Sequence, residues 1–418
     1  MRIGLFGHFG RGNFGNDSTL QAMVYHLRRV IPNAEITCIC TGPEAVAAAY
    51  KIKAEPISDV VVQPWKVRSS AVKLVRRLLI GIPCELYRWF RGFMILRGTH
   101  VFIIAGTGLL TDAYSLWGSG PYNVFKWSVA AKLCRCKLLF VSVGAGPVYG
   151  VIGKWLVKSS LSLADFRSYR DEASMQYVKS MGLLEDGDQV YPDLAFSLPE
   201  DLISNISTSN RQRRVVGLGL MNDPGRYAID RPDNAVYRGY LDSLAVFVKW
   251  LLAHNWDVRL LIGDVGDRPT TQEFRSLLKT RSVICEEGRI IEEPIASAEN
   301  VLSQLAATDL VVATRFHNAL LALLLNKPVI SISFHHKCSS LMSRMGLSEY
   351  CQDISELNGD TLIELFCKLE KNAAILKPMI RQRAEECRKA LDDQYSLIFQ
   401  GVDLGNAQVV RSSPVEQA

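Results

Sequence analysis

The chain opens on an apolar run, Arg2-Ile-Gly-Leu-Phe6, and then alternates unbroken apolar segments with stretches of helical spacing. Ile36–Cys40, Val101–Ala105 and Leu138–Val143 are further runs of this kind, and the last two lead directly into glycine. After the first run, Leu20, Met23, Val24 and Leu27 recur at three- and four-residue spacing, which predicts a helix over Ser18–Val30. Strands that do not alternate polar with apolar are buried on both faces, and strands separated by helices pair in parallel. Composition turns polar from Pro199 to Arg214, which predicts a linker over 201–214. The alternation then restarts with Val215–Leu220, a helix from Tyr240 to His254, Val258–Ile262, and runs at 309–313 and 328–334. A helical stretch over 360–400 follows, and the tail at 405–418 is expected to be disordered. The predicted fold class is α/β: two Rossmann-like parallel-sheet domains, residues 1–200 and 215–400, facing a cleft.

Composition changes this picture little. The chain has 418 residues, 48% hydrophobic and 22% charged, with a net charge of +6 and no basic stripe interleaved with aromatics, so no nucleic-acid partner is expected. The N-terminus does not read as an export signal, and no apolar run reaches the roughly 20 residues of a membrane span. Ten cysteines form no C-x-x-C pair. Cys38 with Cys40 and Cys134 with Cys136 read as strand filling, reduced thiols in a cytoplasm are expected, and no metal is implied. Residues 66–97 change the picture more. They carry eight Lys and Arg against one acid, Glu85, with Leu78, Leu79, Ile80, Trp89, Phe90 and Phe93 interspersed. A basic helix with aromatic tips rests on an anionic membrane surface or reaches a lipid-linked substrate, and the alternative is an amphipathic helix packed on the sheet.

The chemistry concentrates at strand ends. Thr314-Arg315-Phe316-His317-Asn318 follows the run at 309–313 and precedes an apolar helix beginning at Ala319. A strand ending in Arg-x-His places a fixed cation and a titratable imidazole at a helix N-terminus, an anion pocket with a proton donor. The next strand delivers Lys337 to its own end, whereas His335 and His336, as neighbours in an extended segment, should point apart. Near the start, Gly10-x-Gly12-x-x-Gly15 has the spacing of a dinucleotide fingerprint. The second strand, however, ends in Cys40-Thr41-Gly42 without the ribose-binding acid, and Asp17 reads as a helix cap, so NAD is not expected. The turns Gly106-Thr107-Gly108 and Gly144-Ala-Gly146 would let backbone amides approach a ligand closely.

In this order and spacing the chain resembles the polysaccharide pyruvyl transferase family. The elements that match are Gly12-Asn13-Phe-Gly15-Asn-Asp17, Ile104-Ala-Gly106-Thr107-Gly108, Ser142-Val-Gly144-Ala-Gly146-Pro, Arg170-Asp171-Glu172-x-Ser174, Pro192-Asp193, Thr314-Arg315-Phe-His317 and Lys337. It departs from the family pattern in the extra Asn16 and in Ala105 and Thr107, which stand where glycines are frequent. The resemblance implies a glycosyltransferase-B-like pair of domains. It also implies transfer of a carboxyethylidene group from phosphoenolpyruvate to two hydroxyls of a saccharide, with no cofactor beyond that donor substrate. By it, Arg315, His317 and Arg170 are the catalytic candidates at the phosphoenolpyruvate site.

Phosphoenolpyruvate carries a phosphate and a carboxylate, so its pocket needs at least two cations, for which Arg170, Arg315 and Lys337 are available. His317 is the candidate acid, and Asn13, Asp17, Gly106, Thr107, Gly108, Gly144 and Gly146 join Lys337 as substrate-binding candidates. Arg170 could instead pair with Asp171 or Glu172, and Asp193 reads as a turn cap. The acceptor would be a cell-surface polysaccharide or its lipid-linked precursor, reached from the cytoplasm at the inner face of the membrane through residues 66–97. Two other functions stay open. One is a nucleotide-sugar glycosyltransferase of the same architecture, taking its ribose carboxylate from Glu286, Glu287, Glu292 or Glu293. The other is a non-catalytic anion-binding protein.

Overall fold

Two parallel sheets with the same strand order organise the chain in the computed structural model, which describes residues 1–59, 70–112, 120–183, 187–204, 213–222, 234–283 and 286–400. In the first, β1 (Arg2–Gly7), β2 (Glu35–Cys40), β3 (Lys53–Pro56), β4 (Val101–Ala105), β5 (Lys137–Val143), β6 (Phe166–Tyr169) and β7 (Gln189–Val190) pair as β3-β2-β1-β4-β5-β6-β7. In the second, β8 (Arg214–Leu220), β9 (Trp256–Ile262), β10 (Ile290–Ile291), β11 (Leu310–Ala313), β12 (Val329–Ser333) and β13 (Cys351–Asp353) pair as β10-β9-β8-β11-β12-β13. The central strands β4, β11 and β12 are buried along their whole length, as unbroken apolar runs require when helices cover both faces. The winding reverses between β1 and β4 and again between β8 and β11, so each sheet opens a crevice at the carboxyl ends of those strands.

Several local expectations change. The first helix runs Phe14–Val30 and begins ahead of the predicted Ser18 because Asn13 caps it, its side chain accepting the Asn16 N–H at 3.1 Å. Asp17 is therefore not the cap. It sits in the first turn and accepts the Gly10 N–H at 2.8 Å, while burial pushes its carboxyl up to about 6. Cys38 and Cys40 fill β2, but Cys134 closes the helix Pro121–Leu133 instead of entering a strand. His335 and His336 do not point apart. The chain turns into a helix, His336–Arg344, at this point, with His335 as its cap, and the two rings lie 4.0 Å apart.

The glycine loop after β1 joins the two halves. Phe14 N–H donates to Gly263 O at 3.1 Å, Val265 N–H to Gly12 O at 2.9 Å, and Asn13 Nδ2 to Asp264 Oδ2 at 3.0 Å. The spacing that resembles a pyrophosphate cradle thus brings backbone against the loop that follows β9. A second tie comes from the long helix Gly359–Gln400. Its first part packs Phe366 on Phe247 and Trp256 of the second half, and its last part returns to the first half. There Gln394 Nε2 donates to Ser168 Oγ at 2.7 Å, and the Tyr395 ring stacks on His26 at 4.2 Å. Of the predicted linker, 205–212 lies outside the described residues, as do 66–69 of the basic segment and the tail at 405–418.

Candidate functional site

β11 ends at Ala313 and the helix Phe316–Leu324 starts three residues later, so Arg315, Phe316 and His317 occupy the carboxyl-end crevice of the second sheet. Arg315 is the residue before the helix, and its guanidinium turns back to Asp267, with Nε 3.0 Å from Oδ2 and Nη2 2.5 Å from Oδ1. Asp267 is fully buried and also accepts the N–H groups of Asn222, Gly263 and Asp264. A buried carboxylate needs such a cation, and the fork of an arginine meets it with two parallel bonds.

His317 points the other way, across to the first half. Its ring lies against Gly15, where an added Cβ would come within 2.0 Å of the imidazole, and its Nε2 is 3.7 Å from Asp193 Oδ2. That separation is long for a hydrogen bond, and Nε2 is buried without a closer partner. Asp193 caps the short turn Leu194–Ser197 by accepting the Ala195 N–H at 3.0 Å, so its expected role as a cap is present. The same carboxylate also receives Arg170 Nη1 at 3.4 Å. Arg170 follows β6, has Asp171 Oδ2 at 3.5 Å, and lies over the Phe316 ring at 4.9 Å. Lys337 Nζ lies over the same ring at 5.9 Å. The middle residue of the Arg-x-His motif therefore floors two cations.

A cavity of about 600 Å³ opens here, lined by Arg170, Asp193, Phe316 and Lys337, and beyond them by Ser339, Ser340, Ser343 and Arg344. Arg315 and His317 are not in this lining, and His317 borders it through Asp193, 3.7 Å from its Nε2. The electrostatics follow from burial and from the crowding of cations. Burial, helped by Arg170 and Arg315, brings the Lys337 ammonium down to about 8. Burial also lowers the His317 imidazole, with Arg170 and Lys337 adding to the effect and Asp193 opposing it. Asp193 is itself held below the usual carboxylate range, because His317, Arg170 and the Ala195 amide together outweigh its burial. An anion seated between Arg170 and Lys337 would relieve their mutual repulsion and make the imidazolium easier to form.

The remaining candidates are placed as follows. Gly144 makes room for Arg170, whose Nη2 would lie 2.7 Å from an added Cβ. Gly106 packs against Thr19 and Leu194, while Gly108 has open space around it and Gly146 faces Thr111. The two turns are tied together, since the Gly144 N–H donates to Thr107 O at 3.2 Å, and Thr107 Oγ1 is buried without a hydrogen-bond partner. Asn13 is held in the joint between the halves and Asp17 at Gly10, both on the side of the first helix. Asp267, and the second role of Asp193, escaped the sequence reading. A Pro-Asp pair after a short edge strand signals a turn, and nothing local in it points to a histidine of the other half.

The contact at Gly15 yields a direct test. Gly15→Ala is expected to lower stability by about 1–3 kcal/mol, because the methyl group must displace the His317 ring. Gly108→Ala, with nothing within 4 Å of its Cβ, should stay within about 0.5 kcal/mol of the parent in the same denaturant titration.

The sequence pattern of a family described as polysaccharide pyruvyl transferase matches residues 13–336, a span that holds Arg170, Asp193, Arg315 and His317 and stops one residue short of Lys337. The amylovoran biosynthesis protein AmsJ of Erwinia amylovora is 22% identical over 399 residues, covering 87% of this chain and 90% of its own. Among solved structures, a UDP-N-acetylglucosamine 2-epimerase from Listeria monocytogenes superposes with a TM-score of 0.61 at 12% identity, over 96% of this chain and 97% of its own. HepE from Anabaena, solved with UDP and glucose, gives 0.57 at 13% identity over 95% and 100%. The fold class is thus the glycosyltransferase-B-like pair of parallel-sheet domains that these structures share.

Proposed function

The chain belongs to the polysaccharide pyruvyl transferase family and is an enzyme of that type, and from this premise we propose that it moves the carboxyethylidene group of phosphoenolpyruvate onto two hydroxyls of one sugar. The acceptor is a cell-surface polysaccharide or its lipid-linked precursor, and the work is done from the cytoplasm at the inner face of the membrane. The observation that carries the reading is the pair of cations, Arg170 and Lys337, over one ring at the mouth of a cavity whose wall includes the Asp193 partner of His317. Two cations suit a donor with two anionic groups.

In this reading Arg170 takes a planar anionic group of the donor and Lys337 the other. His317, charged once the donor's anions offset the two cations, gives its proton to the methylene carbon. The resulting oxocarbenium-like carbon accepts the first sugar hydroxyl. The phosphate leaves as the C–O bond to it breaks, and the second hydroxyl closes the ketal. The two hydroxyl protons return one to the imidazole and one to the departing phosphate. A nucleotide-sugar donor is less well served. Of the four carboxylates that could hold a ribose, Glu286 pairs with Arg213, Glu292 with Arg275 and Glu293 with Arg259, which leaves Glu287, exposed at the surface.

The test is ligand-induced stabilisation followed by turnover. Phosphoenolpyruvate should raise the melting temperature and, with an acceptor, release phosphate, whereas a UDP-sugar should do neither. Stabilisation by a UDP-sugar alone would overturn the reading. The Lys337 ammonium, at about 8, sets a pH dependence. It is cationic below that value and loses its charge above it, so phosphoenolpyruvate affinity should be full near neutrality and fall several-fold by about pH 9.5. Lys337→Met should bind weakly at every pH and show no such fall in calorimetric titration.

A further inference from the structure

A surface helix ordinarily buries its apolar stripe and shows its charges to water. The helical run of Ser70–Arg76, a π-turn at Arg77–Gly81 and Ile82–Leu96 does the reverse. Val72, Val75, Leu79, Ile82, Leu86 and Phe90 recur at three- and four-residue spacing along one side, and all are exposed, Leu79 by 71%, Leu86 by 66% and Phe90 by 61%. In Ile82–Leu96 the polar side faces the protein. Arg91 pairs with Glu55 and Asp59, Arg88 donates to Asp59 O and to Glu85, and Trp89 Nε1 donates to Tyr122 OH. The helix is therefore inside out by design of its contacts.

A second helix, Val151–Ser162, extends this face. Val151, Ile152 and Trp155 are exposed, Val151 by 84%, while Gly153, Leu156 and Val157 turn inward. Trp155 reaches Phe125 at 5.3 Å and Phe125 reaches Trp89 at 6.5 Å, so the two apolar surfaces meet across the helix Pro121–Leu133. Lys73, Arg77, Arg97 and Lys154 are exposed around them. The one acid on either run, Glu85, is half-buried and held by Arg88 and Tyr122. No helix among the described residues is long and apolar enough to cross a membrane. Asp112 accepts the Tyr149 and Gly150 N–H groups at the start of the second helix, and the other exposed charges along the face are cations. An exposed apolar stripe edged mainly by cations, on helices too polar to insert, is the pattern of an interfacial element.

We propose that these two helices form a docking face for an anionic lipid bilayer, lying in the headgroup plane with Trp155 and Phe90 at the acyl boundary. A second copy of the chain would bring like charges together on this face, which disfavours self-association as its use. The face also stands where a lipid-linked sugar must arrive. Glu85 meets Tyr122 and Phe93 O meets Cys134, so the first turns of Ile82–Leu96 lie beside the start of the helix Pro121–Leu133 that follows β4, and Val151–Ser162 begins just after the Gly144–Pro147 turn beside Arg170. Docking stands on this surface alone. That it presents a lipid-linked acceptor to the cavity rests on the proposed function.

The test is co-sedimentation of the full chain with unilamellar vesicles of phosphatidylglycerol and phosphatidylethanolamine, set against phosphatidylcholine alone. Partition into the anionic vesicles should be about tenfold greater and fall several-fold at high salt. The triple variant Leu79→Asp, Leu86→Asp, Phe90→Asp, and separately Val151→Asp with Trp155→Asp, should each lose about tenfold of that partition. Both should keep the parent melting temperature and its rise with phosphoenolpyruvate. Parent protein left in the supernatant with anionic vesicles would overturn the proposal. So would variants that sediment like the parent, or light scattering that shows a dimer split by the triple variant. Vesicle binding without stabilisation by phosphoenolpyruvate would sink the pyruvyl reading and leave the docking face standing.

Discussion

His317→Ala is expected to cut acceptor-dependent phosphate release by about a thousandfold while leaving phosphoenolpyruvate able to stabilise the protein. A positioned proton donor contributes about 10²–10⁴-fold, and in the proposed function the donor's anionic groups fall to Arg170 and Lys337, which the substitution leaves in place over Phe316. Removing an imidazole that is 15% exposed and wedged between Gly15 and Asp193 leaves space, and Asp193 keeps Arg170 and the Ala195 amide as partners. Asp193→Asn separates positioning from proton transfer. The carboxylate supports the imidazolium, so its loss should move the limb of the kcat profile governed by His317 to lower pH, with the KM for phosphoenolpyruvate little changed. An enzyme that keeps its full rate as His317→Ala would move the acid to another group at the cavity, with Lys337 the first to be tried.

The architecture is legible in the sequence where physics is local. β1, β4, β5, β8, β11 and β12 announce themselves as unbroken apolar runs because both faces of each strand are covered. The edge strands β3, β7, β10 and β13 do not. They are short, pair on one side only, and mix charges such as Lys53 and Glu55 with apolar residues. The strand-end chemistry is legible for the same local reason: Arg315 to His317 must leave a buried strand and start a helix. What each side chain then meets is set elsewhere in the chain, for Arg315 by Asp267 of its own half and for His317 by Asp193 of the other. Asp193 and Asp267 lie far along the chain from His317 and Arg315, and the joint made by Gly12, Asn13 and Phe14, together with the long helix Gly359–Gln400, brings the two crevices face to face. The missing ribose acid argues against a nucleotide at the glycine loop, but nothing in Gly10–Gly15 says that its partner is protein. Residues 66–97 show the same limit. Their amphipathic spacing is plain, and which side faces water is decided by Glu55, Asp59 and Tyr122 elsewhere in the chain.

Arg315→Ala is expected to lower stability by about 3–5 kcal/mol, the effect of leaving a fully buried carboxylate without its cation. The resemblance set Arg315 beside Arg170 as a substrate cation, and the two arginines now make opposite predictions. Arg170 lines the cavity, whereas two nitrogens of Arg315 face Asp267 behind it. Arg170→Ala should therefore raise the KM for phosphoenolpyruvate, and Arg315→Ala should show its main effect in a denaturant titration. The double variant Arg315→Ala, Asp267→Asn gives the decisive comparison. Asparagine carries no charge to strand, and its side-chain oxygen still accepts from the Gly263 and Asp264 amides, so part of the lost stability should return. A coupling energy of about 2 kcal/mol or more in that cycle would fix Arg315 as the support for the helix start that aims His317. If Arg315→Ala is as stable as the parent but no longer stabilised by phosphoenolpyruvate, the guanidinium must leave Asp267 when the donor binds, and Arg315 returns to the substrate.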